Sequence, residues 1–382
     1  MIRSRTRALL MMLVATSLSV AAAEAQRAPQ VNAITPPKVP LPAEGASAGI
    51  NRFSFIAYGD TRGRHDSAQV QSEHQLVIEQ MLATIRSRAA GPNSIRFVLQ
   101  SGDAVLNGRS VAQWNVGYVP LINRLTTEAG VPYFMAVGNH DVTGGSLGTP
   151  ARDSGLRNYF AANAGLIPAE GSPRRMNGYP TFAFGFGNSF FLAFDSNIAG
   201  DSAQFEWVRR QLEGLDRARY RNVVVFYHHP AFSSGPHGGA RVESQALAIR
   251  DRYMPLFRRH HVNLLLTGHE HLFEHWVERY TDATGAHRMD QIVSGGGGAP
   301  LYAYTGEPDL AEYLRAGAAQ QVSVQHLARP STEPGANPFH FVVVNVDGER
   351  ISVEVVAVDW GRGFAPYRSA GAVLSDTGRV VP

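Results

Sequence analysis

Five short polar segments, far apart in the chain, each follow an apolar run of five or six residues. The segments carry ligand-type side chains, and they are Gly59–Arg62, Gly102–Asp103, Gly138–Asp141, His228–Pro230 and Gly268–His271. The preceding runs, such as 53–58 and 223–227, have the length and the aromatic and β-branched content of buried strands. In open α/β sheets, ligands bind beyond the carboxyl ends of the strands. The pattern therefore predicts an α/β fold in which five strand ends bring polar residues to one place.

The side chains in these segments are carboxylates, one carboxamide and imidazoles, which are oxygen and nitrogen ligands of borderline hardness. Such ligands suit ions of Zn, Mn, Fe or Co. The chain contains no cysteine, which excludes thiolate metal sites, thiol catalysis and disulfide bonds. The sequence therefore indicates a metal site built from nitrogen and oxygen donors.

The order and residue types of the five segments resemble those of the calcineurin-like metallophosphoesterases, including the purple acid phosphatases. The resemblance spans roughly residues 53–360 and implies an α/β fold, a four-layer α/β/β/α sandwich with two mixed β-sheets. It also implies a hydrolase that acts on phosphoric ester bonds, in which metal-activated water attacks phosphorus. Two divalent or trivalent metal ions, drawn from Fe, Mn, Zn and Co, are the cofactors that it implies.

The resemblance assigns six residues to the two ions. Asp103 would bridge them, and the full set is Asp60, Asp103 and His271 for the first ion, with Asp103, Asn139, His228 and His269 for the second. In the family the ligand is the histidine two positions before the proline, which favours His228 over His229. The two are adjacent and would point to opposite faces of a strand, so only one of them can be a ligand.

The sequence departs from the family pattern at the first ion. The family usually adds a histidine in Asp-x-His, or a tyrosine three residues after the bridging aspartate. Those positions hold Arg62 and Leu106, and neither side chain binds a metal. The first site is therefore expected to bind its ion weakly. Arg62 could grip a phosphate oxygen, or it could form an ion pair with Asp66 or Asp141.

Three further residues are catalytic candidates. The resemblance places His140 beside the substrate or its leaving group, where an imidazole suits general-acid catalysis. Asp141 would orient His140 or its loop, and His237 would contact phosphate or transfer a proton. The alternatives are a buried structural role for His140 and a solvent-exposed loop position for His237.

The resulting hypothesis is an exported, metal-dependent phosphoesterase that prefers monoesters. The preference for monoesters depends on residues 228–239, which resemble a substrate-facing segment of acid phosphatase-like relatives. One alternative is a phosphodiesterase or nucleotidase of the same fold. The other is a non-catalytic phosphate-binding member, which the missing first-metal ligand favours.

The predicted organisation follows from composition. It comprises a signal peptide at 1–25, a Pro/Ala-rich linker or arm at 26–50, the phosphoesterase domain at 51–360 and a C-terminal tail at 361–382. A basic start, an apolar stretch and Ala23-Glu24-Ala25 indicate export to the periplasm or beyond, although a membrane anchor is the alternative reading.

Charge limits the partners. The formal net charge is +3, and removal of the leader takes away three arginines and one glutamate, which leaves a nearly neutral protein. A small phosphate ester is therefore the expected partner, with no nucleic acid, and with no membrane after cleavage. The sequence leaves the oligomeric state open.

Apolar periodicity predicts helices near 68–88, 111–129, 202–214 and 243–259. Two segments rich in turn residues, 142–180 and 300–338, are predicted as loops, apart from a short amphipathic piece around 156–160.

Overall fold

Strands that pair into two sheets form the frame of the molecule, of which the computed structural model describes residues 29–143, 146–359, 363–367 and 373–374. Within the described residues there are fourteen strands: β1 (Arg52–Tyr58), β2 (Ile95–Gln100), β3 (Tyr133–Met135), β4 (Phe182–Phe186), β5 (Ser189–Ala193), β6 (Asn222–Phe226), β7 (Leu264–Thr267), β8 (Phe273–Asp282), β9 (Gly285–Ser294), β10 (Ser323–Ala328), β11 (Phe339–Asp347), β12 (Arg350–Asp359), β13 (Gly363–Tyr367) and β14 (Val373–Leu374). The signal peptide predicted at 1–25 lies outside the described residues.

Helices connect many of these strands. The described residues form seven α-helices: α1 (Ser72–Ser87), α2 (Val119–Arg124), α3 (Pro150–Ala162), α4 (Ser202–Glu213), α5 (Ser244–Ala248), α6 (Met254–Arg259) and α7 (Ala311–Ala316). The described residues also form three π-helical segments (Gln113–Tyr118, Leu125–Ala129, Ile249–Tyr253) and four 3₁₀ helices (Glu44–Ser47, Ser196–Ile198, Ala318–Gln320, Pro334–Ala336). The predicted N-cap Asp201 accepts a hydrogen bond from the Gln204 amide at 2.7 Å.

Both sheets are mixed, as predicted. The first has the order β13-β12-β11-β1-β2-β3, with β14 also paired to β12, and its β1, β2 and β3 are parallel. The second has the order β10-β8-β9-β7-β6-β5-β4, and its β5, β6, β7 and β9 are parallel. Parallel neighbours place their carboxyl ends at one edge of each sheet.

An aromatic layer fills the space between the sheets. Phe55 and Phe97 of the first sheet stack at 5.2 Å between ring centroids, and the edge-on ring of Phe191 from the second sheet lies 5.3 and 5.0 Å from them. All three rings are fully buried. Edge-to-face and offset contacts of this kind add to the hydrophobic stabilisation of a core.

Side-chain alternation on β6 shows how the four layers form. Val224 and Phe226 belong to the core between the sheets, whereas Val223 and Val225 belong to a second core under α4 and α6. Successive side chains on a strand point to opposite faces, so a strand that is apolar at every position is buried on both. Helix α1 covers the other sheet, and the α/β/β/α order is confirmed.

Prolines divide two of the predicted helices. The segment predicted at 111–129 widens into a π turn before Pro120, and the one predicted at 243–259 does so before Pro255. Proline has no amide hydrogen to donate and its ring crowds the preceding turn, so the helix locally rearranges its hydrogen bonds.

The prediction of loops at 142–180 and 300–338 was wrong in part. The first segment contains α3, whose Gly155 packs so closely on the Asp141 carbonyl that a Cβ there would clash. The second contains α7 and the edge strand β10, which pairs with β8. The buried face of α3 includes Arg152 and Gly155, and no residue of β10 is fully buried, so apolar periodicity reveals neither element.

Both ends of the described chain dock onto the domain. In the segment predicted as an arm, Ile34 is fully buried and its amide donates to the Ala162 carbonyl at 2.8 Å. Within the predicted tail, 363–367 and 373–374 pair with β12. Among the described residues no helix combines the length and apolar character needed to cross a bilayer.

Candidate metal centre

The carboxyl ends of five strands meet at one edge of the sandwich, and the six residues predicted as metal ligands follow directly after them. Sheet one supplies Asp60, Asp103 and Asn139, and sheet two supplies His228, His269 and His271. Hydrogen bonds cross between the sheets here. The His269 amide donates to Asp60 Oδ2 at 2.9 Å, and His228 Nδ1 lies 3.0 Å from the Ser101 carbonyl oxygen.

Three buried side chains form the first half of the centre. Asp60, Asp103 and His271 each direct one ligand atom to a common space, and these atoms lie within 4.8 Å of one another. His271 Nε2 is 3.5 Å from Asp60 Oδ1. The structure therefore brings together the residues predicted for the first ion.

The second half shares Asp103 with the first. His228 Nε2 lies 3.4 Å from Asp103 Oδ1 and 2.9 Å from Asn139 Oδ1. His269 Nδ1 lies 3.2 Å from both Asn139 Oδ1 and His228 Nε2. Two imidazole nitrogens, an amide oxygen and a carboxylate oxygen thus face one point.

The outer nitrogen of each imidazole has an oxygen acceptor. His228 Nδ1 donates to Ser101 as above, His271 Nδ1 donates to the Pro300 carbonyl at 2.7 Å, and His269 Nε2 donates to Glu243 at 3.0 Å. A proton on the outer nitrogen leaves the lone pair of the other nitrogen facing inward. This is the arrangement that metal-binding histidines adopt in proteins.

The protonation states match metal binding as well. Burial lowers the pKa of His228 well below its usual range, and it lowers the pKa of His271 to about 3. Burial, followed by repulsion from the Asp103 carboxylate, raises the pKa of Asp60 well above its usual range. Neutral imidazoles and crowded buried carboxylates form a donor set that a cation would stabilise, so the residues fit divalent metal ions.

Left-handed backbone conformations position three of the predicted ligands. Asp60, Asp103 and His269 have φ values of 60°, 56° and 68°. A residue other than glycine costs roughly 1–3 kcal/mol in such a region, and such conformations cluster at functional sites. Gly102, with φ 110°, precedes one of them, and a Cβ there would lie 2.9 Å from His228 Nδ1.

Arg62 takes the position where the family has a metal ligand. Its Nε atom lies 3.8 Å from Asp103 Oδ2. The Nε atom of Arg62 is buried and has no hydrogen-bond partner among the described residues. Within the described part of the chain, no ion pair joins Arg62 to Asp66, which accepts from Gln113, or to Asp141, which accepts from backbone amides. The guanidinium therefore faces the first half of the centre.

His140 lies at the accessible side of the centre. Its Nε2 atom is 4.0 Å from Asp103 Oδ2, and Nδ1 donates to the Leu106 carbonyl at 2.8 Å. About a third of the side chain, 31%, is exposed. The imidazole is therefore open to a ligand rather than enclosed in the core.

Asp141, grouped with the catalytic candidates, is fully buried beneath the site. Its Oδ2 accepts from the amides of Asp103 and Gly138 at 2.9 and 2.8 Å, and its Oδ1 accepts from the Ala104 amide at 2.9 Å. These bonds tie the β2 and β3 loops together. The carboxylate of Asp141 is thus enclosed and held by backbone amides of both loops.

His237 stands over the second half of the centre. Its ring centroid is 4.6 Å from that of His269, and its amide donates to the buried Glu270 carboxylate at 2.7 Å. A hydrogen bond from the ring to Glu270 raises the pKa of His237. The neighbouring His229 bonds through Nδ1 to Ser196 Oγ at 2.8 Å, and its ring lies 4.3 Å from that of His269. One ligand atom each of His228, His229 and His269 lie within 4.8 Å of one another, but it is His228 that bonds to Asn139.

Sequence reasoning missed Glu243. It lies 26 residues before His269 and outside the five segments, immediately before α5. The hydrogen bond from His269 holds the pKa of Glu243 below its usual range. Its only sequence signal is a carboxylate shortly after the His237 loop, which is too weak to identify it.

A sequence model of the calcineurin-like phosphoesterase family matches residues 59–273. A search of the curated proteins finds no match. Among solved structures, the purple acid phosphatase PPD1 from yellow lupin (Lupinus luteus) seeds is similar, with a TM-score of 0.60 at 17% sequence identity. The match covers 86% of this chain and 54% of the lupin protein, so the chain spans about half of that protein's length.

Two other solved structures have similar folds. PhoD has a TM-score of 0.52 at 12% identity, with 88% of this chain and 72% of PhoD covered. GAP50, the anchor in the inner membrane complex of Plasmodium, has a TM-score of 0.50 at 15% identity, with 85% and 89% covered. At these identities the similarity shows a common fold.

Proposed function

Since the chain belongs to the calcineurin-like phosphoesterase family, we propose that it is an exported, metal-dependent hydrolase of phosphate esters that prefers monoesters. The observation that carries this proposal is the meeting of Asp103 with Asn139 and His228 where the two sheets end. A surface that only binds another protein does not need buried neutral imidazoles around a carboxylate. A hydrolytic metal centre does.

We infer two metal ions, with Asp103 shared between them. Asp60 and His271 would hold the first ion, and Asn139, His228 and His269 would hold the second. Ions bound there would acidify a water and neutralise the charge of the phosphoryl oxygens. The chain's own contribution is to hold the ligand lone pairs inward, through the acceptors at Ser101, Pro300 and Glu243.

The first ion would be held more weakly than the second. Among the described residues, three side chains offer it ligand atoms, and the Arg62 guanidinium lies at its edge, 3.8 Å from the shared carboxylate. A guanidinium repels a cation but grips a phosphate oxygen with fixed geometry. Arg62 is therefore proposed to bind and orient the phosphoryl group, and so to supply part of the positive charge at this side.

His140 and His237 flank the open side of the centre and are proposed to contact the substrate. His140, fixed through Nδ1 by the Leu106 carbonyl, presents Nε2 to the leaving oxygen. His237, fixed by Glu270, presents its ring beside His269, where a phosphoryl oxygen would lie. Asp141 positions the loops that carry Asp103 and His140 and does not touch the substrate.

Export and the preference for monoesters are supported by separate observations. The leader-like composition of 1–25 supports export to the periplasm or beyond. The resemblance of 228–239 to acid phosphatases, together with a fold like that of the lupin purple acid phosphatase, supports monoesters. A phosphodiesterase or nucleotidase would use the same centre with different surrounding loops.

Two observations favour a second candidate, a phosphate-binding member that does not hydrolyse phosphate esters. Arg62 and Leu106 stand where the family has a first-metal ligand, and a similar fold occurs in GAP50, whose described role is that of an anchor. The presence of every predicted ligand in the second half of the centre argues for catalysis, because phosphate binding alone does not require all four side chains.

Metal content and activity measured together test the proposal. We expect purified protein to contain at least one transition-metal ion per chain and to hydrolyse p-nitrophenyl phosphate faster than bis(p-nitrophenyl) phosphate. Asp103→Asn should lose metal and several orders of magnitude in rate, since both ions depend on this carboxylate. The exposed Asp153→Asn is the matched control and should keep both properties.

Three outcomes separate the readings. A faster diester reaction would replace the monoester assignment with a diesterase. Metal without turnover of either ester, in the presence of added Mn²⁺ or Zn²⁺, would favour the phosphate-binding member. A metal-free protein with no turnover would overturn the metal centre itself.

A further inference from the structure

A second group of histidine and aspartate side chains lies at the end of the second sheet remote from the centre described above. His261 sits in the turn between α6 and β7, Asp282 ends β8, and His287 lies in β9 just after the hairpin turn. The catalytic candidates follow the carboxyl end of β7, whereas His261 precedes its amino end. The two groups are therefore separated by the length of that strand.

Three donor atoms converge in this group. His261 Nε2 lies 2.8 Å from Asp282 Oδ2, and His287 Nε2 lies 2.9 Å from Asp282 Oδ1. The two imidazole rings are nearly parallel, at 13°, with their centroids 4.2 Å apart. The hydroxyl of Thr284 is 2.9 Å from His287 Nε2 and so offers a further donor atom, an oxygen.

Hydrogen bonds join the two rings to the carboxylate when no ion is bound. Each neutral imidazole, with its proton on Nε2, donates to one oxygen of Asp282. One divalent cation in place of the two protons satisfies both nitrogens and the carboxylate at once.

The backbone at His261 points to the same contact. Its φ is 47°, in the left-handed region just after the end of α6. Glycine is the favoured residue at such a helix end, because a Cβ is disfavoured there. A histidine at this position turns its ring toward the hairpin tip, where Asp282 and His287 lie.

We propose that His261, Asp282 and His287 form a binding site for one divalent transition-metal ion, with Zn²⁺ the best match. Two imidazole nitrogens and one carboxylate oxygen are a ligand set that Zn²⁺ uses, with the Thr284 hydroxyl or a water in the fourth position. Bonds of about 2.0 Å require ligand atoms roughly 3.3 Å apart. The side chains of His261 and Asp282 are 34% and 26% exposed, so a small outward movement is open to them.

A bound ion would join the turn before β7 to the tip of the β8–β9 hairpin. These segments come from different parts of the chain, and a metal clip between them removes freedom from the unfolded chain and stabilises the folded one. The site is therefore structural and acts independently of catalysis.

The test counts ions in a protein whose catalytic centre is disabled. Asp103→Asn protein is stripped with chelator, titrated with ZnCl₂ and analysed for zinc after desalting. We expect one zinc ion more per chain in Asp103→Asn than in Asp103→Asn/His261→Asn, in which asparagine tolerates the left-handed backbone. Added Zn²⁺ should raise the melting temperature of the first protein by several degrees and leave the second unchanged.

Asp103→Asn/Asp282→Asn is the second variant, and Asp103→Asn/Asp251→Asn, altered at an exposed helical aspartate, is the matched control. The control should retain the extra ion, and both double variants at the new site should lose it. Equal zinc content in all four proteins, each folded by circular dichroism, would overturn the proposal. In wild type, His261→Asn should leave phosphoesterase activity unchanged, which separates failure here from failure of the proposed function.

Discussion

The Glu243 carboxylate accepts a hydrogen bond from Nε2 of His269 at 3.0 Å, and this fixes Nδ1 of the same ring toward Asn139 and His228. Of the three inward-facing histidines, His269 alone is held by a side-chain carboxylate; the other two are held by backbone carbonyls. Its orientation can therefore be changed by a single substitution that leaves the backbone intact.

We expect Glu243→Ala to weaken metal binding at the second site by about 10- to 100-fold, which is the usual effect of removing an outer partner of a metal-binding histidine. Glu243→Gln keeps an acceptor oxygen, so its metal affinity should lie between those of Glu243→Ala and wild type. Affinity is measured by competition with a chelator of known strength. Glu333→Gln, at an exposed position, is the control, and equal affinities in Glu243→Ala and wild type would contradict the positioning role.

Arg62→His recreates the Asp-x-His pattern of the family. We expect tighter binding of the first ion, by about tenfold or more, which is at least the scale of one outer partner. Titration with Co²⁺, followed by metal analysis, measures the number of ions held per chain. Arg64→His, made two residues away on an exposed side chain paired with Glu73, is the matched control.

The same variant should bind substrate less well. The phosphate grip proposed for Arg62 is lost, so KM for an aryl monoester should rise even as the first ion binds more tightly. Unchanged metal affinity together with an unchanged KM would show that Arg62 serves neither role.

A buried ion pair between Arg152 and Asp195 predicts a large effect on stability. Both side chains are almost completely enclosed, at 1% and 0% exposure. Arg152→Met leaves the aspartate without its countercharge and should lower the free energy of unfolding by about 3–5 kcal/mol. Urea denaturation measures the change, and the exposed Arg157→Met on the same helix should shift it little. A loss of under about 0.5 kcal/mol would place Arg152 among ordinary surface residues.

Glu274 predicts a pH dependence of stability. Burial raises the pKa of this carboxyl to about 7, although Ser234 donates to it; Glu270 adds repulsion, and His326 Nε2 lies 3.6 Å away. Between pH 4.5 and 7 the folded state holds a proton that the unfolded state has released. Raising the pH through this window therefore favours unfolding, by on the order of 3 kcal/mol in total.

Glu274→Gln should remove that part of the pH dependence. Unfolding free energies from urea denaturation at pH 5 and pH 7.5 give the comparison. The variant should lose less stability than wild type over this interval, whereas the exposed Glu312→Gln should follow wild type. Parallel curves for all three proteins would show that Glu274 titrates normally.

Much of the frame could be predicted from sequence, because strands buried on both faces must be apolar at every position. The run 53–58 predicts β1 to within a residue, and 95–100 predicts β2 without error. Both are mostly apolar and almost wholly buried; the exceptions include Ser54, which bonds to Asn345, and the exposed Arg96. The ligand segments at their ends could be read for the same reason, since each follows a strand with a sharp boundary.

Elements stabilised by tertiary contact could not be predicted. Helix α3 holds Gly155 in its interior, and only the close approach of the Asp141 carbonyl explains that residue. Glu243 reaches His269 across the fold, with no fixed spacing in the sequence to reveal it. The left-handed backbone at Asp60 and Asp103 likewise depends on the loops around them.

The aromatic layer between the sheets has a bearing on the chemistry. One sheet carries Asp60, Asp103 and Asn139, and the other carries the three histidines. The distance between these two sets of side chains therefore depends on the spacing of the sheets, across which Phe97 and Phe191 pack. These rings help to set the spacing between the sheets, although they do not contact the site. A larger or smaller side chain at either position would therefore change the metal affinity of the centre, although every predicted ligand would be unchanged.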